Sequence, residues 1–387
     1  MKPKRPSSAP QPASASQIPP APPTDDERWM EVALTQAKTG KPSPNPNVGA
    51  AVVKDGELVA TAFHEKAGGD HAETAALRTA GEKAKGSSLY VTLEPCNHHG
   101  RTPPCTDAII AAQVARVIVG TRDPNPHVEG GGIEKLRAAG IEVITGVREE
   151  KARAWIAPWS KHITAGLPYV SLKLALSLDG RIATRTGESK WLTGPDARAK
   201  VHLLRAKSDA IAIGIGTALA DDPRLTVRDA PGTSPLRVIF DTKLRLPIES
   251  RLVQTARETE TLVLCGLDAP AENEAELATH GVECLRTPLS AEGRLEVFTA
   301  LRSLAQRGVV SLMVEGGAEL AGSFLAGRLA DEPHVFVAPI LLGPRGRAGA
   351  VDWAGPDTPQ QAPRIATPTW ELVGSDAYVH GPLVYPE

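Results

Sequence analysis

Residues 93–105 read LEPCNHHGRTPPC and carry two of the chain's four cysteines, Cys96 and Cys105, amid His, Pro and Gly. The run before them, SLYVTL, has strand composition, so Cys96 follows the end of a strand. Two prolines precede Cys105. Proline is favoured in a helix's first turn, so Cys105 opens the helical run CTDAIIAAQ. There the helix dipole favours the thiolate, the metal-binding form of cysteine. A long chain with few cysteines and no export signal belongs in a reducing compartment. A Cys96–Cys105 disulfide is therefore the poorer reading, and metal binding or catalysis the better one.

Upstream, HAE (71–73) opens the helical run HAETAALRTAGEKA. His71 and Glu73 would diverge in mid-helix, but in the first turn both can project past the helix end into one pocket. One His and two Cys give a tetrahedral zinc three ligands and leave a position for water, whereas a structural site recruits a fourth protein ligand. Zinc lowers the pKa of its water to about 7. Glu73 is then placed to take the water's proton and pass it to a leaving amine. Zinc deaminases carry this logic as H-x-E with P-C-x-x-C. Here HAE and EPC match, while eight residues separate the cysteines. The residues alone also admit a Cys2His2 site completed by His98 or His99, or two cysteines buried as apolar side chains.

At 387 residues the chain exceeds one hydrophobic core, so two domains are expected. Residues 1–24 are rich in Pro, Ala and Ser, lack an apolar h-region and read as a disordered tail. Residues 25–148 alternate helix and strand. Trp29, Met30, Ala33, Leu34 and Ala37 share a helix face, Gly40 ends that helix, and Asp55-Gly56 marks a hairpin. Residues 149–168 read as a helical linker whose pattern Pro158 breaks. Residues 169–387 form a second alternating series, from YVSLKLALSLDG through AIAIGIG, LRVIFD, TLVLCG and VSLMVEGG to HVFVAPILLG. Cys265 and Cys284 lie in apolar strand-like runs and read as core.

Composition narrows the partners. A formal net charge of -2 gives no general attraction to nucleic acid or an anionic membrane, and 4% aromatics supply no base-stacking platform. No apolar run is long enough to span a bilayer. These features and the second domain oppose a polymer-acting deaminase. A zinc-stabilised binding protein is the non-enzymatic rival, and it requires a closed site.

PNPNVGAAVV, HAETAAL, YVTLEPCNHHGRTPPC and DPNPHVEGGG together resemble the deaminase half of the bifunctional riboflavin-biosynthesis deaminase/reductase family. SLKLALSLDGRIATRTGESKWLT, LRAKSDAIAIGIGTALADDPRLTVR and MVEGGAEL resemble its reductase half. The likeness runs from about residue 26 almost to the end. It implies an α/β chain in which a cytidine-deaminase-like three-layer domain precedes a dihydrofolate-reductase-like α/β domain. It implies hydrolytic removal of the 2-amino group of a diamino-pyrimidinone carrying a ribosylamino phosphate, then NADPH-dependent reduction of the ribosyl to a ribityl chain. His71, Cys96 and Cys105 fall on the family's zinc ligands, one zinc per chain, and Glu73 on its proton shuttle. Asn45 falls on its pyrimidine contact, although a turn would also explain that residue. Ala50 stands where the family usually has a cysteine, a packing change. A small-molecule substrate, a cytoplasmic location and a homo-oligomer are expected.

In the second domain, GIGTAL lacks the third glycine of a dinucleotide fingerprint. VEGGAELAG offers a strand, two glycines and a helix start, suited to phosphate or to a tight turn. The resemblance places NADPH at Ala175, Trp191, Thr217, Asp221, Thr242 and the turn Gly317, Ala318, Glu319, Leu320, Ala321, Gly322 and Ser323. It places substrate at Ser189, Arg205, Leu225, Arg228 and Glu315. The arginines can grip phosphate with planar forks. Lys173 stands on an otherwise apolar strand, where a buried lysine is costly unless functional, so it is expected to line the site. Asp179 either pairs with it or makes a turn.

Overall fold

Thr24 starts the first helix with a capping box. Its hydroxyl accepts from the Glu27 N–H, and Glu27 reaches back to the Thr24 N–H. The computed structural model describes residues 22–100, 102–126, 131–343 and 349–386. Most of the expected tail, and residues 101 and 127–130 of the quoted motifs, lie outside these. In α1 (Asp25–Ala37) Met30, Ala33, Leu34 and Ala37 are buried, and Trp29 packs beside them half-buried. β1 (Gly49–Lys54) and β2 (Glu57–Phe63) form the hairpin, with Asp55 and Gly56 at φ 52° and 77°. α2 (Ala72–Ala80), β3 (Ser88–Leu93), α3 (Cys105–Ala111), β4 (Arg116–Thr121), α4 (Gly132–Ala138) and β5 (Glu142–Thr145) follow.

The first sheet runs β2-β1-β3-β4-β5, antiparallel through β3 and parallel beyond. Alternate strand residues enter opposite cores. Ala50, Val52, Leu89 and Val91 pack with Ala76, Ile109 and Leu136, while Ala51, Val53 and Tyr90 pack with Met30 and Leu34. The result is three layers.

α5 (Glu149–Ala165) overturns the expected break. It runs through Pro158 to a left-handed Gly166. Proline removes one donor and crowds the preceding turn, but packing outweighs this. Ala152 and Ile156 are buried in the two first-domain cores, and Trp155 and Trp159 pack against them. The helical segment expected as a linker therefore packs on the first sheet.

β6 (Tyr169–Ser177), α6 (Pro195–Lys207), β7 (Ala210–Gly214), α7 (Ile215–Asp221), β8 (Leu236–Phe240), α8 (Arg251–Gln254), β9 (Thr261–Gly266), α9 (Ala271–Thr279), β10 (Glu283–Thr287), α10 (Val297–Gln306), β11 (Ser311–Glu315), α11 (Ala318–Ala326) and β12 (Glu332–Ala338) build the second domain. β13 (Arg364–Ile365), β14 (Thr369–Val373), β15 (Asp376–His380) and β16 (Leu383–Val384) close it. Its main sheet runs β10-β9-β8-β7-β11-β6-β12-β15-β14, parallel from β10 to β12 and antiparallel from there. Cys265 is buried and Cys284 half-buried in this sheet, as core packing requires. Glu315, at the end of β11, is in register with Lys173 of β6. In open parallel sheets ligands bind beyond the carboxyl ends of the strands.

Among the described residues, several contacts tie the domains. The Lys41 ammonium donates to the Ala206 and Ser208 carbonyls, Lys161 pairs with Asp331, and Lys38 and Lys207 both approach the Trp155 ring. Among the described residues no helix is long and apolar enough to cross a membrane.

Candidate active sites

The N-termini of α2 and α3 point at one spot. His71 is the N-cap of α2, Cys105 opens α3, and Cys96 lies in the loop after β3. His71 Nδ1 lies 3.2 Å from Cys105 Sγ and 3.5 Å from Cys96 Sγ, and the Cys105 N–H donates to Cys96 Sγ. The three ligand atoms lie within 4.8 Å of one another, and His98 and His99 are not among them. Tetrahedral zinc, with bonds of about 2.0–2.3 Å, separates its nitrogen and sulfur ligands by roughly 3.5 Å. The triangle therefore fits that ion. His71 Nε2 lies 3.5 Å from Thr102 Oγ1, which leaves Nδ1 as the metal-facing nitrogen. Hydrogen bonding with Cys105 and then His71 pulls the Cys96 thiol down to about 4, while the same Cys96 contact and burial push Cys105 well above the usual thiol range. The pair thus shares a proton that a cation would displace.

Glu73, in the first turn of α2, is 3% exposed, and burial pushes its carboxyl up to about 7. Asn45 makes the turn its sequence suggests, its N–H donating to the Pro42 carbonyl, and its side chain meets His64 Nε2 at 3.0 Å. The His64 ring stands edge-on to His71, with centroids 5.2 Å apart. Asn45 is therefore one ring away from the metal triangle. Sequence reasoning missed His64, an isolated histidine with no spacing signal. It also missed Glu94, whose carboxylate accepts from the Asp123 and Ile133 N–H groups and ties the Cys96 loop to α4.

A cavity of about 1130 Å³ opens over the carboxyl ends of β6, β7, β8 and β11. Ala175, Trp191, Thr217, Asp221, Thr242, Gly317, Ala318, Glu319, Leu320 and Ser323 line it. Ala321 and Gly322 do not. Ala321 is buried, and a Cβ on Gly322 would stand 1.9 Å from the Asp352 carbonyl oxygen. Gly316 and Gly317 take φ 79° and 87°, so the double glycine is required by the turn as such. Trp191 is a cavity wall, 69% exposed, rather than core.

Ser189, Arg205, Leu225, Arg228 and Glu315 also line the cavity. Arg205, however, does not leave its fork free for a ligand anion. Its Nε and Nη2 bind the two Glu315 oxygens at 2.6 and 2.7 Å, and Nη1 donates to the Thr226 carbonyl. Both side chains are about nine-tenths buried, where an unpaired charge would be costly. Arg228 stays exposed at the rim. Lys173 also lines the cavity. Burial pulls its pKa down, and Glu315 opposes this. Asp179 does not pair with Lys173. It accepts from the Ser177 hydroxyl and the Leu342 and Gly343 N–H groups, so it clamps a turn outside the cavity. Arg198, His202, Arg245 and Arg294 line the cavity too. In sequence they look like any solvated charge.

Glu332, His334 and His380 form a second cluster of ligand-type atoms within 4.8 Å of one another. Its groups already satisfy one another. Glu332 accepts from His380 and from the Tyr169 hydroxyl, and His334 Nδ1 bonds the Tyr378 hydroxyl at 2.6 Å. The Lys200 ammonium lies over the Tyr378 ring. This is an internal hydrogen-bonded ladder beside a cation, not an open coordination sphere.

Residues 23–121 match the cytidine and deoxycytidylate deaminase zinc-binding region, and residues 168–383 match the RibD C-terminal domain. The chain is 46% identical over 323 residues to the riboflavin biosynthesis protein RibD of Aquifex aeolicus, covering 82% of this chain and 88% of that one. It is 42% identical over 372 residues to that of Escherichia coli, covering 92% and 98%. The structure resembles Acinetobacter baumannii RibD, with TM-score 0.81, 40% identity and coverage of 94% and 99%. It equally resembles the Thermotoga maritima diaminohydroxyphosphoribosylaminopyrimidine deaminase/5-amino-6-(5-phosphoribosylamino)uracil reductase, with TM-score 0.81, 37% identity and the same coverage. A zinc-type deaminase domain and an NADPH-type reductase domain, on a chain covered almost end to end by such relatives, place it in the RibD family of bifunctional riboflavin-biosynthesis deaminase/reductases.

Proposed function

We propose that the first domain hydrolytically deaminates 2,5-diamino-6-(5-phosphoribosylamino)pyrimidin-4-one, and that the second reduces the ribosyl group of the resulting amino-uracil to ribityl. The Thermotoga maritima relative is described by these two activities. The observation that carries the reading is the buried Glu73 beside a three-ligand triangle that no fourth described residue closes. His71, Cys96 and Cys105 would hold zinc, which when bound would supply an acidified water. Glu73 takes a proton from the attacking water and delivers it to the departing amine, a task suited to a carboxyl poised near neutrality. Asn45 orients the pyrimidine.

In the second domain NADPH, when bound, would supply the hydride. Thr217, Thr242 and the Gly317 turn seat the cofactor, while Arg228 reaches the substrate phosphate from the rim. The buried Arg205–Glu315 pair offers fixed hydrogen-bonding partners to the ribose. The working units are residues 25–165 and 169–386. Four free cysteines accord with a reducing cytoplasm. Trp370 and Leu372, exposed on the edge strand β14, support a homo-oligomer that covers them. The test incubates purified protein with the diamino-pyrimidinone phosphate and follows ammonia release and NADPH oxidation separately. NADPH oxidation without prior deamination would overturn the order.

A further inference from the structure

The hydrogen bonds of His64 fix which way the Asn45 amide points. His64 Nδ1 lies 2.9 Å from the Asp70 carbonyl oxygen. A carbonyl only accepts, so Nδ1 carries the proton. The ring is 3% exposed, and its Nε2 faces the Asn45 amide nitrogen, which can only donate. Nε2 is then a lone pair that must accept, and the Asn45 amide 3.0 Å away donates to it through Nδ2. A flipped amide would set two acceptors against each other beside the metal triangle. Asn45 Oδ1 is thereby turned away from His64, and no described residue donates to it. The carbonyl that begins this chain belongs to Asp70, adjacent to the ligand His71, so metal site and amide share one frame.

We infer that His64 is a positioning residue for deamination: it locks Asn45 with its carbonyl oxygen toward the substrate, so the group read there is a hydrogen-bond donor, a ring N–H or an exocyclic amine. This rests on Asn45 being the pyrimidine contact. The amide selects a donor edge and rejects rings that present a lone pair at that point, and His64 confers this selectivity without touching the substrate.

The test is a double-mutant cycle on the full-length enzyme, with deamination, reduction of directly supplied amino-uracil and bound zinc measured for each variant. Asn45→Ala and His64→Leu should each lower kcat/KM for deamination by about 10²-fold, the usual penalty for a misplaced substrate. The double variant should be no more than about threefold worse than either, since both remove one device. His64→Gln, whose amide can accept from Asn45, should recover to within about tenfold of the unmodified enzyme. Reduction and zinc content should stay unchanged throughout, which shows that the variants fold. The inference is overturned if His64→Leu deaminates normally, if the two losses multiply to about 10⁴-fold, if His64→Gln is as poor as His64→Leu, or if His64→Leu loses zinc. Should Asn45→Ala alone deaminate normally, the pyrimidine-contact reading fails with it.

Discussion

Glu73 shows how much a single side chain can be asked to do. It is buried, it sits in the first turn of α2, and its carboxyl is held near neutrality. Glu73→Gln keeps the shape and removes the titrating group. Deamination should fall by about 10³-fold, with zinc content and reduction intact. A variant within tenfold of the unmodified enzyme would remove Glu73 from the chemistry. His71, Glu73, Cys96 and Cys105 were legible in the sequence because each stands at the end of an element, where its direction follows from local structure. His64 was not legible, since its role is a hydrogen bond to a residue 19 positions away that no spacing rule connects. For Arg205 and Glu315 the residue types were readable, but their mutual pairing, across 110 positions, was not. Asp179 was readable only as one of two alternatives, and the turn prevailed because three donors converge on it.

At the scale of elements, periodicity located the helices and strands of the first domain and six central strands of the second, but not α7 to α10 or β13 to β16, and packing decided what periodicity left open. Pro158 signals a break in isolation, yet α5 continues because two aromatic residues and two buried aliphatic ones hold it on the first sheet. α11 shows the converse. A glycine-rich stretch looks uniformly like a phosphate cradle, but one face packs inward. Gly322→Ala would drive a Cβ into the Asp352 carbonyl and push α11 outward. The KM for NADPH should rise more than tenfold, about the effect of a 1 Å displacement, while deamination is unchanged. An unaltered KM would show that α11 does not seat the cofactor. At the β12–β15 ladder, burial alone would raise the Glu332 carboxyl, but the His380 hydrogen bond and neighbouring imidazoles outweigh it and hold it below the usual range. A depressed carboxylate stabilises above its unfolded pKa of about 4.3, and that stability is lost as pH falls through the folded value. Glu332→Gln should therefore cost about 1–2 kcal/mol at pH 7. The gap from the unmodified protein should close as the pH falls below about 4. Thermal melts at both pH values would check this, and a gap independent of pH would remove the carboxylate's charge as its source.

For the molecule as a whole, length and a change of pattern near residue 148 were enough to expect two domains. They could not show that α5 packs on the first sheet, because its partners there are distant in sequence. The two sites use different sheets and separate cores. The ties between domains named above run through Lys41, Trp155 and Lys161 to Ala206, Lys207, Ser208 and Asp331, none of them a residue of the metal triangle. Removing zinc should accordingly disturb the starts of α2 and α3 and the Cys96 loop, and leave the β6–β11 cavity intact. A strong chelator should abolish ammonia release while NADPH oxidation on supplied amino-uracil stays within about twofold of its starting rate. The first domain should also melt earlier, because a ligand that binds only the folded state stabilises it by mass action. Added zinc should restore deamination alone. If reduction fell in parallel with deamination and returned with zinc, the domains would be coupled through the metal and this separation of the two chemistries would be wrong.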